Sequence, residues 1–289
     1  MSTTGEPPVI GIIGAGEMGA AVGRRLREAG ARVLTSMSGR SAASADRIRR
    51  AGLEVVGDDR RLADDAEIIL SIVPPAAGIV VAERFRDPLR ASASPAVFAD
   101  CNAIAPTTMR EIERLLDPLT VIDAGIIGEP PSPNTQEPAA GPRFYASGPH
   151  AHRLAVLNHY GLDVAVMDAP IGAASGLKLA YAGLTKGFTA LGAAMINAAS
   201  RDGLAEALRM ELARSQPQFL DRIDRSVPAM FPKAYRWVAE MEQIAAFIAD
   251  GDAGAAIYEG AARLFEAIAD DLEDGHPKER FASLTRFRR

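Results

Sequence analysis

The sequence predicts two domains of different class: an α/β domain with a parallel sheet over residues 1–168 and an all-helical domain over residues 169–289. Apolar β-branched runs alternate with helical patterns up to Asp168, at intervals of ~20–30 residues, the rhythm of right-handed βαβ crossovers. Strand signals then stop at Pro170. From Gly172 onward the helical period takes over and continues almost to the C-terminus.

Val9–Ile13 reads as the first strand, followed by a helix that runs to Ala29 and stops at Gly30. Arg32–Thr35 is the second strand, Ala43–Ala51 a helix closed by Gly52, and Leu53–Val56 a short strand. Glu67–Val73 is a strand halted by Pro74-Pro75, and Ala96–Asp100 and Thr120–Asp123 flank a helix at Thr107–Leu116. Residues 130–142 hold five prolines without periodicity, so they form a rigid loop. Phe144–Ser147 and Asp163–Met167 are two further strands around a helix at Ala151–Tyr160. Gly172–Ser200 is a long helix joining the domains, apolar nearly all round and rich in Gly and Ala, and is therefore expected to be buried between close neighbours. Helical patterns at Leu204–Arg214, Gln218–Val227, Lys233–Ala249 and Ala253–Glu273 complete the chain.

Composition narrows the function classes. Apolar residues are 48% and charged residues 24%, enough for a proper soluble core. The net charge of −5 argues against a nucleic-acid or anionic-membrane partner, which would want a basic face. The single cysteine, Cys101, excludes an intrachain disulfide and suits a reducing cytosol. The N-terminal MSTTGEPPV has neither the basic nor the apolar region of a signal peptide. Lys178 and Lys186 interrupt the apolar helix, and its uncharged remainder, Gly187–Ser200, is shorter than the ~20 residues of a membrane span. A cytoplasmic protein without membrane contact is expected.

Gly14-Ala15-Gly16-Glu17-Met18-Gly19 is a G-x-G-x-x-G with a strand before it and a helix after it, the context of a Rossmann dinucleotide site. Gly14 permits the tight turn, Gly16 lets the backbone approach a pyrophosphate, and Gly19 lets the helix pack on the strand. NAD-binding sites carry a carboxylate at the end of the second strand for the ribose 2′-OH. Here no carboxylate precedes Asp46; Ser36, Ser38, Arg40 and Ser41 stand there instead, suited to a 2′-phosphate. NADP(H) is the expected cofactor.

With Asp100-x-Asn102-Ala103-x-x-Pro106, Asp123-Ala-Gly-Ile-Ile-Gly128 and Gly172…Gly176-Leu177-Lys178 added to the glycine motif, the chain resembles the β-hydroxyacid dehydrogenases, short relatives of 6-phosphogluconate dehydrogenase. "IGAASGLKLAYAGLTKG" and the Ser215–Pro217 "SQP" resemble a branch with its own, DUF1932-type, C-terminal helical domain. The resemblance implies that Lys178 is the general acid/base for an alcohol–carbonyl pair and faces the nicotinamide. A lysine on an otherwise apolar helix loses solvation, which fits proton transfer. Lys186 lies about 80° around the helix from it and is given no role. Val73 and Pro74 match positions that line the cofactor, and Arg236 matches loosely a lysine near it.

The departures from the family bear on the substrate. Family members have Asn at the third and fourth positions after the lysine; here Tyr181 and Ala182 stand there, and Tyr181 shares a face with Lys178. Where relatives have Ser-Gly-Gly for a substrate carboxylate, this chain has Ile127-Gly128-Glu129, a poor carboxylate cradle. Asn102 replaces a family serine as a polar contact to substrate or nicotinamide, or else caps the helix at Pro106. His150 and His152, two residues apart, make a surface pair rather than metal ligands, and no histidine adjoins Cys101 to activate it. The expected function is an NADP(H)-dependent oxidoreductase acting on a small carbonyl or alcohol, assembled as a homodimer through the helical domain. The alternatives are an imine reductase, whose members typically have Asp or Tyr in place of the lysine, and a protein that binds NADPH without turnover.

Overall fold

The computed structural model describes residues 7–37, 42–133, 141–248 and 253–287. It divides into two compact units, 1–178 and 179–289. The division falls ten residues beyond the boundary expected at 168, because the start of the long helix is hydrogen-bonded into the sheet.

The first unit is built on an eight-stranded sheet: β1 (Val9–Ile13), β2 (Arg32–Ser36), β3 (Glu54–Val56), β4 (Ile68–Ser71), β5 (Val97–Asp100), β6 (Val121–Ile127), β7 (Arg143–Ser147) and β8 (Asp163–Val166). Their order is β3-β2-β1-β4-β5-β6-β7-β8. β1 sits beside both β2 and β4, so the strand order reverses at its end, which makes the crevice where ligands of such sheets bind. The helices are α1 (Glu17–Glu28), α2 (Ala42–Ala51), α3 (Asp59–Asp65), α4 (Gly78–Ala91) and α5 (Pro106–Leu116), with a 3-10 helix at Ala151–Tyr160.

Both sheet faces are covered, which explains why the strands read as continuous apolar runs. Ile10, Ile12 and Leu70 form one core with Val22 and Leu26 of α1 and Leu154 and Leu157 of the 3-10 helix. Ile13, Ile69 and Phe98, one step along in the alternation, form the other with Leu62, Phe85 and Ile112 of α3, α4 and α5.

Two expectations are corrected. The sheet is not wholly parallel: β7 lies directly beside β6 and runs antiparallel to it, Asp123 pairing with Ser147 and Ile127 with Arg143. β6 extends four residues past Asp123, through the whole Asp123–Ile127 motif. α3 and α4 add helices in stretches for which no element is expected above.

The helical unit holds the remainder of α6 (Ala173–Arg201) with α7 (Ala205–Ser215), α8 (Pro217–Met230), α9 (Ala234–Ile248), α10 (Ala253–Asp270), a two-residue-strand hairpin at 272–277 and a short α11 (Ser283–Arg286). Phe188 of α6 meets Phe219 of α8 edge-on at 4.7 Å, and Trp237 of α9 meets Phe265 of α10 at 5.1 Å. Arg209 and Asp224 pair across α7 and α8. Lys186 of α6 pairs with the buried Glu240 of α9 and lies over Trp237, so this second lysine is committed to packing.

α6 is long and apolar enough to cross a membrane by length and composition, with half of its most apolar window buried. It is not covered all round, contrary to expectation. Leu177, Tyr181, Leu184, Leu191 and Met195 are exposed. With half-buried Phe188 they follow a 4-3-4-3-4 spacing, an apolar seam along one side of the helix.

Candidate functional site

The glycine loop closes the end of β1. Gly14 has φ +95°, and a Cβ there would lie 1.9 Å from the Ile72 carbonyl oxygen, so only glycine lets the loop cross the end of β4. A Cβ on Gly19 would lie 1.9 Å from the Gly14 carbonyl oxygen, which fixes how tightly α1 follows the turn. Gly16 is different. A Cβ there would meet nothing within 4 Å, and Gly16 caps α1 without any side-chain hydrogen bond. Gly16 and Glu17 are exposed, Met18 is half-buried and Ala15 is buried. The N-terminus of α1 therefore begins beneath open space at Gly16, where a helix start fits a dinucleotide pyrophosphate.

The rim beside the loop comes from β2 and α2. Ser36 ends β2 and is buried, while Thr35 donates to the Ile12 carbonyl at 2.8 Å. Ser38, Arg40 and Ser41 lie outside the described residues. Arg47 of α2, unnoticed in the sequence, reaches the loop: its Nε donates to the Ala15 carbonyl at 3.0 Å and its Nη2 to Ser44 Oγ at 3.3 Å. The contact spans 32 residues, so no local spacing announces it.

On the other side, the ends of β4 and β5 are clasped together. Asn102 is 3% exposed, and its amide is fully engaged by the protein. Its Oδ1 accepts from the Val73 N–H at 2.6 Å, and its Nδ2 donates to Asp100 Oδ2 at 2.7 Å and Ser71 Oγ at 3.3 Å. Asn102 thus holds Val73, whose side chain packs on Gly14, and has no amide hydrogen left for a ligand. Pro74 follows as an exposed residue at the start of a 3-10 turn. Burial pushes the Asp100 carboxyl up to about 7, against the hydrogen bonds from Asn102 that favour its charged form. Burial also pushes the Cys101 thiol well up, helped by Asp100 and Asp123, which suits a structural rather than a nucleophilic thiol.

The third element is the junction of β6 with the first turns of α6. Asp123, fully buried, accepts from Ser147 Oγ at 2.8 Å, Gly172 N at 2.9 Å, Ser175 N at 3.1 Å and Ser175 Oγ at 2.6 Å. Two residues on, a Cβ on Gly125 would lie 2.6 Å from the Ala174 carbonyl oxygen and 3.2 Å from Lys178 Cβ. Lys178 is half-buried, and its Cβ rests directly on the bare backbone of β6. Gly172, at φ +98°, abuts Pro106 of α5. The structure thus brings the Asp100–Pro106, Asp123–Gly128 and Gly172–Lys178 segments together at one end of the sheet.

Other expected residues stand apart from these networks. Tyr181 is on α6 and 51% exposed, while Ala182 beside it is buried. Ile127 is half-buried, and Gly128 and Glu129 are exposed at the end of β6. Arg24 and Arg25 of α1 donate to the carbonyls of Pro131 and Ser132 just beyond them. His152 lines a groove of about 630 Å3 with Asp168 just beyond the ends of β7 and β8.

The family model of the NAD binding domain of 6-phosphogluconate dehydrogenase matches residues 9–157, and that of a domain of unknown function (DUF1932) matches residues 199–268. A solved conserved protein of unknown function, described as structurally similar to 3-hydroxyacid dehydrogenases, is 27% identical, with 91% of this chain and 97% of that one covered and a TM-score of 0.68. The 3-hydroxyisobutyrate dehydrogenase of Mycobacterium tuberculosis, solved with L-serine, shares the fold at 19% identity, 98% and 100% coverage and a TM-score of 0.70. The imine reductase of Myxococcus stipitatus, solved with NADP+, shares it at 19% identity, 98% and 100% coverage and a TM-score of 0.51.

Proposed function

The chain belongs to the family of the 6-phosphogluconate dehydrogenase NAD-binding domain, and from that premise we propose that it is an NADP(H)-dependent oxidoreductase acting on a small carbonyl or alcohol, with Lys178 as general acid and base. The seat of Lys178 supports this most: its Cβ is held against β6, on a helix anchored at the same end of the sheet as the glycine loop. The N–H groups of Gly16 to Gly19 would hold the pyrophosphate, and Ser36, Ser38, Arg40 and Ser41 the ribose with its 2′-phosphate. Val73, Pro74 and Asn102 shape the nicotinamide side, with Asn102 acting through the Val73 backbone. NADPH, when bound, supplies the hydride. Lys178 gives a proton to the substrate oxygen during reduction and takes it back during oxidation.

Ile127, Gly128 and Glu129 offer no hydroxyl to a carboxylate, and an unpaired carboxylate carries its full desolvation cost. The substrate is therefore a neutral, bulkier or cationic compound, and 3-hydroxyisobutyrate is a poor one. The same observation favours a second reading, imine reduction. Lys178→Met separates the two. For carbonyl reduction kcat should fall by about 10²–10⁴-fold with the NADPH Kd unchanged. Near-normal turnover on cyclic imines in a folded variant would shift the proton role to Tyr181 and the function to imine reduction.

The exposed seam on α6 supports a homodimer through the helical unit, because exposed apolar side chains at heptad spacing are suited to pair with a second helix. Light scattering should find a dimer at micromolar concentration. A monomer would remove this part of the proposal.

A further inference from the structure

We infer that Asp123 is the positioning residue for Lys178, fixing the rotation and height of α6 so that the lysine leaves the helix at one defined point; this rests on the acid/base reading of Lys178. A helix start leaves several N–H groups without partners. Here they are claimed. Gly172 N and Ser175 N go to Asp123 Oδ2, Ala174 N goes to Ser147 Oγ at 3.0 Å, and Ser147 Oγ itself donates to Asp123. Ala173 N turns back to the Pro170 carbonyl at 3.1 Å.

Capping alone does not account for this arrangement. A serine would cap a helix about as well without burying a charge. The carboxylate adds a second fixed direction, because Oδ1 accepts the Ser175 hydroxyl while Oδ2 takes the backbone donors. Asp123 and Gly125 share one face of β6 by strand alternation. The strand therefore carries a polar clamp at one position and a gap that only glycine leaves at the next. Ser175 and Lys178, three apart on α6, face that pair. Were the clamp released, the helix would be free to turn against β6 and the long lysine side chain would swing with it. A misplacement of about 1 Å can cost about 10²-fold in rate.

The test uses the reactivity of Lys178 itself and needs no substrate. In the full-length protein, Lys178 is acetylated with trace acetic anhydride across pH 6–10, and its rate is read by peptide mass spectrometry against exposed Lys278. Asp123→Asn should change the relative rate of Lys178 at least threefold while circular dichroism and the NADPH Kd stay as in the parent. Ser147→Ala, which removes only the bridging hydroxyl, should change it in the same direction by less, and carries the test if Asp123→Asn does not fold. An unchanged Lys178 rate in a folded variant overturns the inference. So does a loss of kcat, on a panel of small aldehydes, that is equal in the parent and in the Lys178→Met background. If Lys178→Met alone keeps near-normal turnover, the acid/base reading fails, and the acetylation rates still decide whether Asp123 positions the lysine.

Discussion

Among the described residues, the first unit exposes five large hydrophobic side chains, Val55, Val80, Val156, Val166 and Leu177, while the shorter helical unit exposes ten, from Tyr181 to Ile257. Buried polar groups are distributed the other way. Ser71, Asp100, Asn102, Asp123, Ser147 and Ser175 all lie inside the first unit near strand or helix ends, against Thr189 and Glu240 in the second. A sheet with helices on both faces covers its own apolar surface and can spend its interior on hydrogen-bonded strand ends, where a ligand meets the protein. The helices of the second unit leave apolar surface uncovered, and surface of that kind is where partners attach.

Four measurements would break or sharpen this contrast. The largest effect belongs to the glycine loop. Gly14→Ala forces a Cβ into the Ile72 carbonyl and a strained φ, and should cost about 3 kcal/mol or more of stability, read as a drop in Tm. Gly16→Ala should leave Tm alone and weaken NADPH binding instead, since only ligand space is lost. Equal effects of the two on stability would mean the loop is not built as described.

Next comes the clasp. The Asp100 carboxyl titrates near 7 in the folded protein against an ordinary value near 4, so the folded state binds the extra proton in that window. Its contribution to stability is full below pH 4, falls as the pH rises to 7 and is flat above. At about 1.4 kcal/mol per pH unit, the stability of the parent relative to Asp100→Asn should fall by about 4 kcal/mol over that range. Urea unfolding at pH 4.5 and 8 reads this, and a pH-independent difference would place the charge elsewhere.

On the helical side, Leu184→Asp with Leu191→Asp puts two charges on the α6 seam and should weaken dimerisation at least 100-fold, about 2.7 kcal/mol, by sedimentation. An unaltered dimer would mean that the exposed seam is not the interface. The smallest effect concerns the adenosine end. Arg40→Ala should cost NADPH about 1.5–3 kcal/mol of binding and NADH little, the scale of charged hydrogen bonds. If Arg47→Ala does this instead, the guanidinium beside Ala15 is the selective one. A parent protein that prefers NADH would remove the NADP assignment.

The strands were legible because residues buried on two faces leave unbroken apolar runs, as in Val9–Ile13 and Ile68–Ser71. The glycine loop was legible because its constraint is local. Strand direction was not: Phe144–Ser147 has the same composition whichever way it runs, and only its pairing with β6 shows it antiparallel. Asn102 was visible as a polar residue in the right place, but that its amide turns inward to Val73 and Asp100 depends on strands brought together by the sheet. Asp123 stood within a quoted motif without a role, since its partners are 24 to 52 residues away. The exposed side of α6 was hidden by its composition, which is apolar in every direction and does not say which side finds a neighbour.

The Asp123 clamp also determines where the chain can be cut. A fragment ending at 168 would keep Asp123 and Ser147 but discard Gly172, Ala174 and Ser175, whose N–H and O–H groups donate to them. A carboxylate left buried without its donors would open the end of β6 to water or take up a proton. The nucleotide-binding half is therefore an independent piece only when it carries the opening turns of a helix that belongs, for most of its length, to the other half.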